Sequence, residues 1–550
     1  MKKILMTLAA VLCCTMTMTV FTACSVEDNS ITAPAYEQQD VTILFYGHGG
    51  GTLDAFLINN IRQLYKARRS CYDNVKVVVE YKFSSKDNLP HFDSDEAEKE
   101  FLSNVELMGE DTINDSINSE DYVRWMNPEG YSTFRFILDP DQNLHQQAAA
   151  SYLPDPNCDI TCPDSLTNFI NWAVKTCPAK HYVLILSDHG SGYTPDDEIF
   201  DEDSQKGMTR GVIYDFGNNF NHFTAKSLAN AIKASGIRPG AIYFDACLMN
   251  TLEYQFELKD VTDYIVASTY VVPGAGGLYD ALLEWLSRAS GNLEYGLKKY
   301  IEIATKNWDN DNFPLPLYND LTVSSTAGFN QLGIAMREFT DRLCYTYQNG
   351  TAEQRQKIDN VTKNAVKIDN NNPSYDAAKY MASIMRALPE VYDDAFYDQL
   401  ATAFNNCIVD QATSKYLRER NYQVDFSVML ATKGTYKYAY WDQTENETGT
   451  AFIYTLTSVQ DYHADGTTTT YDVNNGLFSN TGEADYTLEY KDKGHWGGTL
   501  ESTYGRLAFD QATGWSRWLM LNEQEPQIWS RHDFFADLPE GDLSEDTSKK

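Results

Sequence analysis

Short runs of nearly continuous Val, Ile, Leu, Tyr and Phe punctuate the first half of the chain, at residues 41–46, 75–81, 133–138, 182–187, 241–244 and 264–268. Runs that are apolar at successive positions, rather than alternate ones, predict strands covered on both faces. Helix-like segments separate them at 54–69, 165–176, 225–235 and 248–259. Strand and helix in alternation predict an open, largely parallel α/β sheet. Two insertions break the rhythm. Residues 84–132 are acidic and polar and read as a surface excursion, and 194–221 are rich in Asp, Glu, Gly and Asn and read as an exposed loop.

Beyond residue 291 the pattern turns helical, through 295–308, 332–347, 354–366, 375–387 and 394–407. From 424 it changes again, to alternating aromatic and β-branched positions at 435–442, 450–457 and 467–473. Those predict a small antiparallel module with one solvated face. No repeat of fixed period is present. The organisation expected is therefore a leader (1–24), a tether (25–40), an α/β domain (41–290), a helical region (291–423), a β-rich region (424–540) and a disordered charged tail (541–550).

The leader is separated from the fold by its own chemistry. Lys2 and Lys3 precede an apolar run from Ile4 to Phe21, which ends in Thr22-Ala23-Cys24. A basic start, a short apolar stretch and small residues before a cut describe a secretory signal. A Cys directly after the small residues gives the lipoprotein version, with Cys24 lipidated, a polar tether after it, and the protein held at the cell envelope or cell surface. No later stretch is long and apolar enough to span a bilayer.

The chain is 43% hydrophobic and 22% charged, and its formal net charge is −34. Loss of Lys2 and Lys3 with the signal takes this to about −36. Such a field repels nucleic acid and anionic surfaces and favours cationic peptides or metal ions. Of ten Cys, Cys13 and Cys14 leave with the leader and Cys24 is taken by lipid, so an odd seven remain. Cys158 and Cys162, at C-x3-C spacing, could form a disulfide in an exported chain. No second Cys/His pair at suitable spacing argues for a metal site.

Two segments carry reactive residues at the ends of predicted buried strands. The first runs Leu184-Ile185-Leu186-Ser187-Asp188-His189-Gly190-Ser191-Gly192, and the second Ala241-Ile242-Tyr243-Phe244-Asp245-Ala246-Cys247-Leu248-Met249. In an open α/β sheet, sites form at the carboxyl ends of strands. The separation of 58 positions between His189 and Cys247 leaves room for one crossover helix and a loop. Neighbouring parallel strands would set the two side by side, a thiol nucleophile and its base. A helix beginning at Leu248 would place Cys247 at a helix N-terminus, which favours the thiolate. Gly190, lacking a side chain, can bring its N–H to a developing oxyanion beside the N–H of Cys247. A Cys after a buried strand, or a His-Gly turn, is more often structural when it stands alone. The pairing is what points to chemistry.

Asp188-His189-Gly190 with a second Gly following, and then Asp245-Ala246-Cys247-Leu248-Met249, resemble the paired signature of the clostripain family of caspase-like cysteine peptidases. Glu253, Leu258-Lys259-Asp260, Tyr264-Ile265-Val266-Ala267-Ser268 and Arg210-Gly211-Val212-Ile213-Tyr214-Asp215 extend the likeness, and Leu507-Ala508-Phe509 with Thr513-Gly514-Trp515 adds to it weakly. The resemblance implies a caspase-like three-layer α/β/α sandwich with a mostly parallel sheet. It implies an endopeptidase with Cys247 as nucleophile, His189 as base, and Asp245 near the pocket for an Arg or Lys side chain of a protein or peptide substrate. It also implies self-cleavage between His and Cys, for which Lys206 and Arg210, each followed by Gly, are the candidates. Two departures stand out. Thr269-Tyr270 replace acidic residues common after Ser268, and His48-Gly49-Gly50-Gly51 stands where the family has an Asp/Asn pair.

Other chemistries fit less well. H-G-G-G serves lipases as an oxyanion loop, but the required G-x-S-x-G elbow is missing. His48 then reads as a loop residue on the same rim of the sheet. No Lys-Ser/Thr follows the glycines, which excludes a phosphate loop. Asp196, Asp197, Glu198, Asp201, Glu202 and Asp203 could bind Ca²⁺, but they lack the EF-hand spacing and read better as a solvated loop. A reading from another class is a surface binding or adhesion lipoprotein on an inactive peptidase scaffold. Tyr436, Tyr438, Tyr440 and Trp441 of the β-rich region would then meet glycan or protein, where otherwise they are ordinary cross-strand pairs.

Overall fold

In a computed structural model, strands β1 (Gln39–His48), β2 (Val75–Lys82), β3 (Thr133–Ile137) and β4 (Ala179–Ser187) open the chain. A short hairpin of β5 (Val212–Asp215) and β6 (Asn221–Phe223) follows, then β7 (Ala241–Asp245), β8 (Tyr264–Ala267) and β9 (Asp320–Ser325). β10 (Ser374–Asp376), β11 (Ile408–Thr413) and β12 (Ser427–Met429) come later. The structure describes residues 39–49, 53–70, 72–83, 132–153, 158–193, 211–215, 218, 221–308, 319–366, 368, 374–420, 423–430, 437–445, 452–462, 468–472, 485–487, 504, 507–521 and 528–530. The leader with Cys24, most of the tether, most of the 84–132 insertion, the acidic run with Lys206 and Arg210, Tyr436 and the tail lie outside the described residues.

One eight-stranded sheet runs in the order β11-β9-β8-β7-β4-β1-β2-β3. The five strands from β8 to β2 are parallel to one another, and β3, β9 and β11 join antiparallel at the two edges. The continuous apolar runs are explained by this placement, because each central strand is covered on both faces. In β1, Ile43 and Phe45 pack toward helices Asp54–Arg69, Tyr279–Arg288 and Leu293–Trp308. Leu44 and Tyr46 pack toward Pro163–Thr176, Ala225–Ala234 and Leu252–Leu258. The fold is thus a mostly parallel, caspase-like three-layer α/β/α sandwich.

The structure departs from the sequence reading at three places. The α/β domain was expected to end at 290, yet β9 and β11 extend the same sheet. Helices Ala508–Thr513 and Trp515–Leu521 lie in the stretch expected to be β-rich, and Phe509, Trp515 and Trp518 are buried in the main core beside helix Phe329–Asn349. The helix expected over 248–259 begins only at Leu252, where Thr251 Oγ1 accepts the Tyr254 N–H at 3.3 Å. Strands Lys437–Glu445, Phe452–Tyr462 and Thr468–Asp472 do form an antiparallel module. Among the described residues no helix is long and apolar enough to cross a membrane.

Candidate active site

The last rung of the β4–β7 ladder pairs Ser187 with Asp245. His189 and Cys247 each stand two residues beyond that rung, so parallel register alone makes them neighbours on the carboxyl rim of the sheet. The chains stay together past the rung, since the Asp188 N–H donates to the Asp245 carbonyl at 3.4 Å. Gly190 then lies against the backbone of Cys247. A Cβ on it would fall 2.6 Å from the Cys247 carbonyl oxygen, 2.8 Å from Ala246 Cβ and 3.1 Å from the Cys247 nitrogen. Real Cβ atoms do not approach so closely, so this position requires glycine. His189, Gly190 and Cys247 are all partly exposed, in a neighbourhood that is otherwise buried.

The segment carrying His189 is clamped by β5. The Ile213 N–H donates to the His189 carbonyl at 3.3 Å, and the Tyr214 N–H to Asp188 Oδ2 at 2.7 Å. Gly190 bridges Val212, and the Gly211 N–H reaches Ser191 Oγ at 3.0 Å. Among the described residues three non-glycines have positive φ, and two of them flank the site: Ile213 at 57° and Leu248 at 65°. Such conformations cost about 1–3 kcal/mol each and persist where the surroundings impose them.

Cys247 is not part of a disulfide. It does not open a helix. Residues 248–250 form a turn held by the Tyr270 carbonyl, which accepts the Leu248 N–H at 2.9 Å, and by the Ser268 carbonyl, which accepts the Asn250 N–H at 3.0 Å. The expected helix-dipole contribution to the thiol is therefore lost, because Leu252–Leu258 starts too far downstream. A local donor takes its place, since the Val272 N–H points at Cys247 Sγ from 3.2 Å.

Asp245, the last residue of β7, is buried. Its Oδ2 accepts from Tyr279 Oη at 2.6 Å, the Gly277 N–H at 3.2 Å and Ser187 Oγ at 3.4 Å. Its Oδ1 is buried and has no partner among the described residues. Burial raises the Asp245 pKa, against the opposing pull of those hydrogen bonds. Gly276 lies over the carboxylate, where a Cβ would sit 2.5 Å from Oδ2.

His48 was expected on a loop, but it is the last residue of β1 and fully buried. Its Nδ1 lies 2.8 Å from the Lys82 carbonyl oxygen. Burial pushes its pKa down to about 4, with Asp215 pulling the other way, so the ring is neutral at physiological pH. It does share the rim, because its neighbour Gly47 pairs with Ser187. Beside it, Lys82 Nζ forms a buried ion pair with Asp215 at 2.6 Å and also donates to the Cys158 carbonyl. Cys158 is disulfide-bonded while Cys162 is a free thiol, so the expected C-x3-C bridge is not made. Among the described residues no cluster of His, Cys, Asp or Glu is arranged to hold a metal ion.

A Cys and a His on adjacent ends of parallel strands, with a glycine fitted against the thiol's backbone, make an arrangement suited to nucleophilic chemistry by a thiol. The chain belongs to the clostripain family, whose model matches residues 140–488. It is 22% identical to clostripain of Hathewaya histolytica over 274 residues, which are 46% of this chain and 44% of that protein. The chain thus matches less than half the length of that relative. Among solved structures it is similar to a secreted C11 cysteine protease of Bacteroides thetaiotaomicron, at 15% identity over 69% of this chain and 88% of that one, with a TM-score of 0.47. It is also similar to an inactive zymogen C11 protease of Parabacteroides distasonis, at 13% identity over 87% and 99% of the two chains, with a TM-score of 0.47.

Of the residues singled out from the sequence, the structure brings His189, Gly190 and Cys247 together on one rim, with Asp245 buried at the end of β7. Sequence reasoning missed Val272, whose contribution is a backbone N–H that no residue type announces, and the clamp made by Ser191, Gly211 and Tyr214. The Gly-Val-Ile-Tyr-Asp run was visible, but its contact with His189 depends on a hairpin.

Proposed function

We propose that the protein is an exported cysteine endopeptidase that cleaves peptide bonds after basic residues. The observation carrying this reading is the shared rung of Ser187 and Asp245, which makes His189 and Cys247 neighbours with Gly190 against the thiol's backbone. His189 takes the thiol proton, and the thiolate attacks the scissile carbonyl carbon. The oxyanion is held by the N–H groups of Gly190 and Cys247. When the C–N bond breaks, His189 returns its proton to the leaving amine and an acyl-thioester remains. His189 then deprotonates a water that attacks the thioester, which releases the acid and restores the thiol.

Asp245 supports the basic preference. Its Oδ1 has no partner among the described residues, and a cationic side chain brought against it would stabilise the charged carboxylate that burial disfavours. Cleavage between His189 and Cys247 is proposed after Lys206 in preference to Arg210. The bond after Arg210 adjoins Gly211, whose N–H and carbonyl are both held by Ser191, and a protease needs a segment it can extend. Attachment through lipidated Cys24 rests on the leader sequence.

Cys247→Ala and His189→Ala are each expected to abolish peptide cleavage while melting cooperatively near the wild-type temperature. Cys247→Ala should also remain a single chain. Substantial turnover by either folded variant would overturn the assignment.

A further inference from the structure

A second carboxylate on the same rim has no place in the steps above. Asp320 is the first residue of β9 and is fully buried. β8 ends at Ala267, so the chain that continues through Ser268, Thr269 and Tyr270 has left the strand ladder. Asp320 supplies the missing acceptor. Its Oδ1 takes the Ser268 hydroxyl at 2.8 Å, the Thr269 N–H at 2.9 Å and the Tyr270 N–H at 3.2 Å. One carboxylate oxygen thus gathers three donors from three successive residues.

The stretch so fixed is the one that holds the nucleophile. Tyr270 and Ser268 offer the carbonyls that receive Leu248 and Asn250, and Thr269 Oγ1 accepts the Asn250 side-chain amide at 3.0 Å. Two residues further on, the Val272 N–H meets Cys247 Sγ. A backbone donor aimed at sulfur favours the thiolate over the thiol, and here the helix end that might have done so is absent. The Val272 carbonyl, 3.7 Å from Sγ, can accept from the thiol and pulls the other way from a longer distance. Resting on the reading of Cys247 as nucleophile, we propose that Asp320 is a positioning residue that acts through residues 268–272 to hold the Val272 N–H on Cys247 Sγ and so favours the reactive thiolate.

The test follows alkylation of Cys247 by iodoacetamide against pH in the full-length protein, read by peptide mapping, beside kcat and KM on a peptide substrate. In Asp320→Ala the labelling profile of Cys247 is expected to move to higher pH. A move of about one unit slows labelling about tenfold below the thiol's own pKa. The fall in turnover should lie mainly in kcat, because the basic side chain's contact at Asp245 is untouched. Asp320→Asn keeps one neutral acceptor and is expected to fall between the two. It also decides the matter if Asp320→Ala does not melt cooperatively. A wild-type labelling profile in either folded variant overturns the inference. If wild-type Cys247 is labelled no faster than the partly exposed Cys162, the functional reading fails and this inference falls with it.

Discussion

Gly190 and Asp320 make predictions that can be tested separately. Gly190→Ala would press a methyl group into the Cys247 carbonyl and Ala246. The only relief is to part the two strand ends, and a misplacement near 1 Å costs on the order of 10²-fold in rate. The expected outcome is that loss in kcat with little change in melting temperature, and wild-type activity in the Gly190→Ala enzyme would show that the strand ends need not touch. Asp320 makes a different prediction, about stability. Burial lifts its pKa from 3.8 to about 6, against its hydrogen bonds to Ser268, Tyr270 and Thr269. An acid whose folded value lies above its unfolded value contributes stability that is fully present below the unfolded pKa and lost as pH rises through the folded one. Wild type should therefore lose about 2 kcal/mol relative to Asp320→Asn as pH rises from about 4 to about 7. Denaturant titrations of both proteins across that range check it, and a pH-independent difference would mean that Asp320 is not raised.

At the scale of elements, what could be read from the sequence was whatever depends on local pattern. The central strands were legible because burial on both faces leaves an unbroken apolar run, as in Val183-Leu184-Ile185-Leu186. The segment after Cys247 was misread for the same reason. Leu248, Met249, Leu252 and Phe256 are all buried and suggest one helix, but Leu248 adopts a left-handed conformation that breaks it. The true start was present in the sequence, in Thr251 followed by Glu253 in the first turn, and was outweighed by the apolar pattern. Thr251→Ala is accordingly expected to cost about 1 kcal/mol of stability. Activity should be little changed, because the turn at 248–250 is held from the 268–270 side. A large loss of turnover in that variant would mean that the helix does position Cys247. The edge strands β9 and β11, and the helices over 508–521, were not legible. Their place is decided by long-range partners such as Glu257, whose Oε1 accepts the Ala508 N–H at 2.5 Å.

For the whole molecule, the basic preference proposed above would have a local part and a distant part, and salt separates them. The local part is one carboxylate, Asp245, buried and short of a partner on Oδ1 among the described residues. The distant part is a formal net charge of −34, which draws a cationic peptide from beyond contact range. At physiological ionic strength the screening length is about 8 Å, so added salt weakens the distant field far more than a pair in contact inside the protein. For a Lys or Arg peptide, kcat/KM is expected to fall as salt is raised while kcat at saturation holds, because encounter is slowed and the chemical step is not. A peptide with a neutral residue before the scissile bond and no other charge should be nearly insensitive. Asp245→Asn should then remove most of the discrimination between the two peptides at any salt concentration, yet leave the slope of log kcat/KM against salt for basic peptides in place. Equal slopes for cationic and neutral peptides in the wild-type enzyme would confine recognition to the pocket, and the acidic composition would then have no part in capturing substrate.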